Sequence, residues 1–321
     1  MKNILIRRIC IAATCAIALV LTFYAAVYFV MFRPNFTRRT GDYTQKQNQR
    51  HWGNDDFQAR NAADTAWWEN SERIRMEITS YDGLSLVAYY LPHEEAKGIV
   101  LMMHGFQSTP TRDFASIARW YYEAGYTICL PFQRNHGESE GTYITFGVKE
   151  RYDVRDWVQE LNDRFGMEND LWIHGISMGC ATVLMASGFS LPFNVRGIIA
   201  DCGFTSPKAI LLTELRTRKL PLAHAFLHAG NFFARHLADF TFTEYDTFQA
   251  LRTNETPVLF IHGTKDDFVP PAMTIANYEF CHAPKELLLV EDAIHAISFY
   301  QDEALYTKTL TRFLTTYALP R

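Results

Sequence analysis

A serine framed by two glycines, Gly175-Ile176-Ser177-Met178-Gly179, follows a short apolar run and precedes a helical one. Strand, tight turn and helix in that order present a hydroxyl at the tip of an elbow, where only glycine leaves room beside the serine. A serine hydroxyl is a poor nucleophile until a base takes its proton, and the base needs a carboxylate to orient it. Two later strand ends supply these groups: Asp266 in Gly263-Thr264-Lys265-Asp266-Asp267, and His295 after Val290-Glu291-Asp292-Ala293-Ile294. The chain order Ser177, Asp266, His295 is the one a nucleophile elbow on a parallel sheet requires. Asp267 is the rival carboxylate, and Asp266 is favoured by its place three residues before Val269. Acyl transfer also needs amide donors for the tetrahedral oxyanion. The amide of Phe106, in His104-Gly105-Phe106 at the end of the neighbouring strand, and that of Met178 would form the pair. The plainer reading of His104-Gly105 is a simple strand-to-helix turn.

The chain has eleven histidines, so most serve other ends. His104 and His262 each follow a buried strand and precede glycine, which suits structural roles at loop turns. His224, His228 and His236 share one segment, but a metal there would need further ligands that the sequence does not offer. The chemistry requires neither a metal nor a cofactor.

The elements that must position these groups begin at Ile74. Ile74–Thr79 and Leu86–Leu91, joined by Tyr81-Asp82-Gly83, read as an antiparallel pair. Gly98–Met103 is continuously apolar, as a strand buried on both faces should be. Strands at Tyr126–Leu130, Leu171–His174, Val195–Ala200, Pro257–His262 and Glu286–Val290 alternate with helices at Asp113–Ala124, Val148–Phe165, Ala181–Ser187, Ala272–Cys281 and Asp302–Tyr317. Such alternation predicts an α/β protein with a mostly parallel, doubly wound sheet and reactive groups at the carboxyl ends of its strands. Residues 208–256 break the rhythm with a helical, phenylalanine-rich stretch, read as a lid inserted over that end. Its aromatics suit either an apolar acyl or aryl group or plain packing against the body.

Ahead of the body, Ile9–Phe32 is 24 residues without a charge, against the roughly 20 that a membrane-crossing helix needs. The alternative is a cleaved signal peptide, but the run is too long and leaves through Tyr28–Pro34, a poor cleavage site. The expected division is therefore an anchor over 1–33, a juxtamembrane linker over 34–72 with a short helix near Ala63–Trp68, and a catalytic body over 73–321. Lys2, Arg7 and Arg8 balance Arg33, Arg38 and Arg39 across the span, so charge does not orient it. Large domains translocate regardless of flanking charge, which leads to an expected extracytoplasmic body. The first 41 residues hold six bases and no acid, leaving 25 bases against 35 acids elsewhere. A body that acidic excludes a nucleic-acid partner. The six cysteines form no Cys-x-x-Cys pair and read as free thiols.

Several blocks resemble the α/β-hydrolase superfamily over about residues 73–319: Met103-His104-Gly105-Phe106, the run from Arg134 to Gly141, the elbow, Asp201-Cys202-Gly203-Phe204-Thr205-Ser206, and His262-Gly263-Thr264-Lys265-Asp266. The combination is most like bacterial membrane-anchored members related to the serine aminopeptidase and cinnamoyl-type esterase groups. That resemblance implies an α/β-hydrolase fold and a serine hydrolase cleaving carboxylic esters through an acyl-enzyme on Ser177. Relatives of this kind also include peptidases, amidases and acyltransferases with the same Ser-His-Asp machinery. The elbow lacks the Ser-Tyr-Gly-Gly ending of many prolyl-oligopeptidase relatives, and no propeller precedes the body, which lowers the peptidase reading. A peptidase should carry a charged clamp for a substrate terminus, for which Glu214 and Glu244 are the candidates. A membrane-bound binding module without activity is the reading from another class. The expected partners are a small acyl or ester substrate and, through the amino-terminal helix, the lipid bilayer.

Overall fold

The computed structural model describes residues 2–37 and 55–320. Most of the first half of the expected linker, residues 38–54, lies outside the described residues. In chain order the helices begin with α1 (Lys2–Ala26), a π-helical turn (Val27–Phe32) and α2 (Arg33–Phe36), which together form one apolar rod. Pro34 accounts for the π turn: it has no N–H and its ring would collide with a carbonyl one turn back, so the backbone widens ahead of it. The Arg33 amide accordingly reaches back five residues to the Tyr28 carbonyl. Helix α3 (Asp55–Asn70) is longer than the short helix expected near Ala63–Trp68. Asp64 fixes it to the body by accepting from Ser116 and, at 3.1 Å, from Arg119.

The sheet has eight strands: β1 (Ile74–Thr79), β2 (Ser85–Leu91), β3 (Ile99–Met103), β4 (Thr127–Pro131), β5 (Leu171–Ile176), β6 (Val195–Asp201), β7 (Val258–Gly263) and β8 (Lys285–Val290). Their spatial order is β1-β2-β4-β3-β5-β6-β7-β8. The β1–β2 and β2–β4 pairs are antiparallel and the rest parallel. Every residue of β3, β4, β5 and β7 is buried, which is why these segments read as unbroken apolar runs rather than alternating ones.

Helices cover both faces. On one lie α4 (Pro110–Glu123), started by the Thr109 hydroxyl accepting from the Arg112 amide, and the carboxyl-terminal helix Glu303–Tyr317. On the other lie α5 (Glu150–Phe165) and α6 (Met178–Ala186). The segment expected as a lid holds α7 (Pro207–Thr217), α8 (Ala223–Leu237) and α9 (Thr247–Leu251). Helices α10 (Pro271–Phe280), α11 (Ser298–Gln301) and α12 (Glu303–Tyr317) complete the chain. A third apolar core lies outside the two that sandwich the sheet. It joins Met178, Phe146, Phe204 and Val269 of the body, Ile210 and Leu227 of α7 and α8, and Val27, Met31, Phe32 and Phe36 of the amino-terminal rod.

Candidate active site

The elbow between β5 and α6 is built by exclusion. A Cβ on Gly175 would lie 2.3 Å from the Gly179 carbonyl oxygen, and one on Gly179 would lie 1.8 Å from that of Met103. Both obstacles are backbone, so neither position admits a side chain. Between them Ser177 sits at φ 57°, ψ −117°, a strained conformation; such backbone costs on the order of 1–3 kcal/mol and persists only where its surroundings enforce it. Its amide donates to the Asp201 carbonyl at 2.9 Å.

Three of the expected residues meet here. The Ser177 Oγ lies 2.8 Å from His295 Nε2, and His295 Nδ1 lies 2.6 Å from Asp266 Oδ2. Asp266 is buried at the end of β7, and its Oδ1 accepts the amides of Phe268 at 2.9 Å and Val269 at 2.8 Å. Asp267, the rival, points into solvent. Burial pushes the Asp266 carboxyl up, but the charges and hydrogen bonds of His295 and His262 outweigh it and hold the group well below its usual range. Burial likewise pulls His295 down. The charge and hydrogen bond of Asp266, with help from Asp113 and Asp201, reverse this and leave the imidazole above its ordinary 6.5. Phe268 closes one side, its ring edge-on to His295 with centroids 4.9 Å apart.

The second pair of expected residues flanks the serine. Met178 opens α6, where the first amides of a helix have no partner within it. Phe106 follows Gly105, whose would-be Cβ lies 3.2 Å from the Ser177 Cβ, so the turn after β3 lies directly against the elbow.

Sequence reasoning gave His104 a structural role at this turn but did not find the other groups that hold it. Asp113, buried in the first turn of α4, accepts the Gly105 amide at 2.6 Å and the Ser108 hydroxyl at 2.5 Å. Gln107, at φ 49°, donates its amide to His136 Nε2 at 3.1 Å. The other nitrogen of His136 donates to the Arg134 carbonyl at 2.9 Å. Arg134 in turn is clamped by Asp153 at 2.6 and 2.7 Å and by Asp82 at 2.8 and 3.1 Å. His104 is fully buried and accepts the Gln133 amide at 3.1 Å; burial pulls its pKa down to about 4, so it stays neutral. The block from Arg134 to Gly141 was the available signal, but nothing in a linear sequence ties it to Gln107.

Other candidates are engaged elsewhere. Glu214 pairs with Arg218 at 3.4 Å along α7, and Glu244 accepts the Thr241 amide at 3.1 Å. His236 packs on Phe232, with ring centroids 4.5 Å apart. Among the described residues, Cys202, Asp266 and His295 are the one trio whose ligand atoms lie within metal-binding range. Asp266 and His295 are already bonded to each other, and burial keeps the Cys202 thiol protonated.

Residues 139–319 match the prolyl oligopeptidase family, more than half of the chain, and the chain belongs to that family. With its eight-stranded sheet it is an enzyme of the α/β-hydrolase kind. The uncharacterized Bacillus subtilis protein YqkD is 26% identical over 247 residues, 77% of this chain and 81% of that protein. An uncharacterized membrane protein of Saccharomyces cerevisiae is 25% identical over 227 residues, 70% of this chain and 73% of its own. Among solved structures, an esterase of Pyrococcus furiosus superposes with a TM-score of 0.64 at 18% identity, covering 89% of this chain and 98% of the esterase.

Proposed function

We propose that the protein is a serine hydrolase that cleaves carboxylic esters through an acyl-enzyme on Ser177. The observation that carries this reading is the hydrogen-bonded chain Ser177–His295–Asp266 at a strained elbow. His295 Nε2 takes the Ser177 proton as Oγ bonds to the acyl carbon, and Asp266 holds the imidazole in the required tautomer and steadies the imidazolium. The Phe106 and Met178 amides stabilise the oxyanion. As the tetrahedral intermediate collapses, the ester C–O bond breaks and the alcohol leaves with the proton from His295. Water, deprotonated by the same imidazole, then attacks the acyl-enzyme and releases the acid, returning the proton to Ser177.

Residues 1–33 act as a membrane anchor, 34–72 as a juxtamembrane linker and 208–256 as a lid on the catalytic body, which lies on the extracytoplasmic side. Support for the anchor comes from one helix with a mean hydropathy of 2.3 over its most apolar window. Ester chemistry is favoured by likeness to an esterase, though only the fold is shared at 18% identity. Membership of the prolyl oligopeptidase family favours one second reading, an amidase or peptidase using the same residues.

The test uses the full chain in detergent with a fluorophosphonate probe, a chain-length series of p-nitrophenyl esters, and matched p-nitroanilides. Ser177→Ala should lose probe labelling and at least about 10⁴-fold in turnover while keeping its melting temperature. Retained turnover in that variant refutes the nucleophile. Faster turnover of anilides than of esters moves the reading to the amidase.

A further inference from the structure

The amino-terminal rod is not separate from the site. Residues 3–22 are exposed along their whole length, and contact with the body begins at Phe23 and Tyr24. Phe23 meets Phe226, and Tyr24 meets Phe232, with centroids 5.2 and 5.4 Å apart. A bilayer core takes about 20 residues of helix. Counted from Ile9, where the uncharged run starts, that length ends at Tyr28. The lid therefore meets the rod at the depth of the lipid, not beyond it.

The lid is dressed for that position. Leu222, at the start of α8, is 74% exposed, and Phe232 and Leu237 on the same helix are 45% and 44% exposed. The stretch from the start of α7 to the end of α8 carries exposed Lys208, Arg216, Arg218, Lys219 and Arg235 against the single acid Glu214, in a body that is otherwise acidic. Exposed apolar side chains with bases three residues away, Lys219 before Leu222 and Arg235 after Phe232, match the interface of an anionic bilayer.

From this interface a row of rings leads inward. Tyr28 touches Phe32 at 6.1 Å, Phe32 stacks on Phe36 at 4.6 Å, Phe36 meets Phe146 at 5.1 Å, and Phe146 stacks on Phe106 at 5.1 Å. Phe106 follows Gly105, which lies against Ser177, and its other neighbour Gln107 donates through Nε2 to the Pro34 carbonyl at 2.8 Å. Ser177 is only 6% exposed, so a substrate must part something to reach it.

We propose that α7 and α8 dock on the bilayer and that the aromatic seam between them and the anchor is the route by which an acyl ester resident in the membrane reaches Ser177. The substrate class is thus an acyl lipid whose chain slides along the seam without crossing water. The substrate part rests on the serine hydrolase reading; the docking part does not.

The full chain, with Cys10 and Cys15 replaced by serine, is labelled at Leu222→Cys with an NBD fluorophore and reconstituted in phosphatidylcholine vesicles containing phosphatidylglycerol. Shallow spin-labelled lipids should quench the fluorophore at least twofold more than an aqueous quencher of equal strength. No preferential quenching overturns the docking, whatever the activity. In parallel, Arg216→Glu with Lys219→Glu should slow hydrolysis of a bilayer-resident diacylglycerol at least tenfold in the vesicles. The same variant should leave p-nitrophenyl butyrate turnover and fluorophosphonate labelling in detergent within twofold. An equal fall on both substrates, or a wild type that cleaves the soluble ester and ignores the lipid, overturns the lipid route. Quenching without any labelling of Ser177 upholds the docking and brings down the hydrolase reading and its substrate together.

Discussion

At the scale of residues, the site sets a protonation problem that pH can read. In the proposed mechanism His295 must be neutral to accept the Ser177 proton, and Asp266 holds its pKa above 6.5 despite burial. Below that pKa the imidazole is protonated and cannot act as base, so the acid limb of kcat/KM for a p-nitrophenyl ester should have its midpoint above 6.5. Removing the carboxylate charge reverses the cause: Asp266→Asn should move the limb to lower pH and cut kcat by about 10⁴-fold. A limb that stays in place in this variant means a different group titrates. The meeting of Ser177 and His295 was legible because each ends a strand, and parallel strands bring their carboxyl ends together. The hold of Asp113 on Gly105 was not, because an aspartate in the first turn of a helix is ordinary in sequence and its partner lies eight residues back across a turn.

At the scale of elements, steric exclusion decides the elbow. Gly179→Ala places a methyl 1.8 Å from the Met103 carbonyl, so β3 and α6 must separate. The expected cost is at least about 3 kcal/mol, the upper end for overpacking. Gly83→Ala is the control: its φ is +86° but nothing lies within 4 Å, so only left-handed strain of about 1–2 kcal/mol applies. Denaturant unfolding of the two variants should separate them clearly, and equal losses would place the constraint in φ rather than in space. The strands and the helices on the sheet were readable from continuous apolar runs and 3.6-residue periodicity. The long α3 was obscured by its polar, alanine-rich surface, and the π turn by the fact that Pro34 marks a helix end as readily as a widened one.

At the scale of the whole molecule, the third apolar core makes the end of the amino-terminal rod a structural part of the body. Val27, Met31, Phe32 and Phe36 are buried in it. A chain starting at residue 42 should therefore melt at least about 5 °C below the full chain in the same detergent and bind a hydrophobic dye. An unchanged melting temperature would mean these side chains add no stability. Sequence alone hid this contact for a simple reason. Hydropathy measures aversion to water and does not distinguish a phenylalanine facing lipid from one facing protein. The span in Ile9–Phe32 thus read wholly as membrane, although its last turns belong to the enzyme's interior.

The π turn has a consequence for how this chain could be rebuilt. It rotates Met31 and Phe32 onto the face that meets α8, where Gly230 leaves a gap that puts its would-be Cβ 3.1 Å from the Met31 methyl. A borrowed leader of equal length and greasiness would carry neither the rotation nor the matching bulge. The tether is keyed to its cargo, and grafting one without the other trades a fitted joint for a loose one.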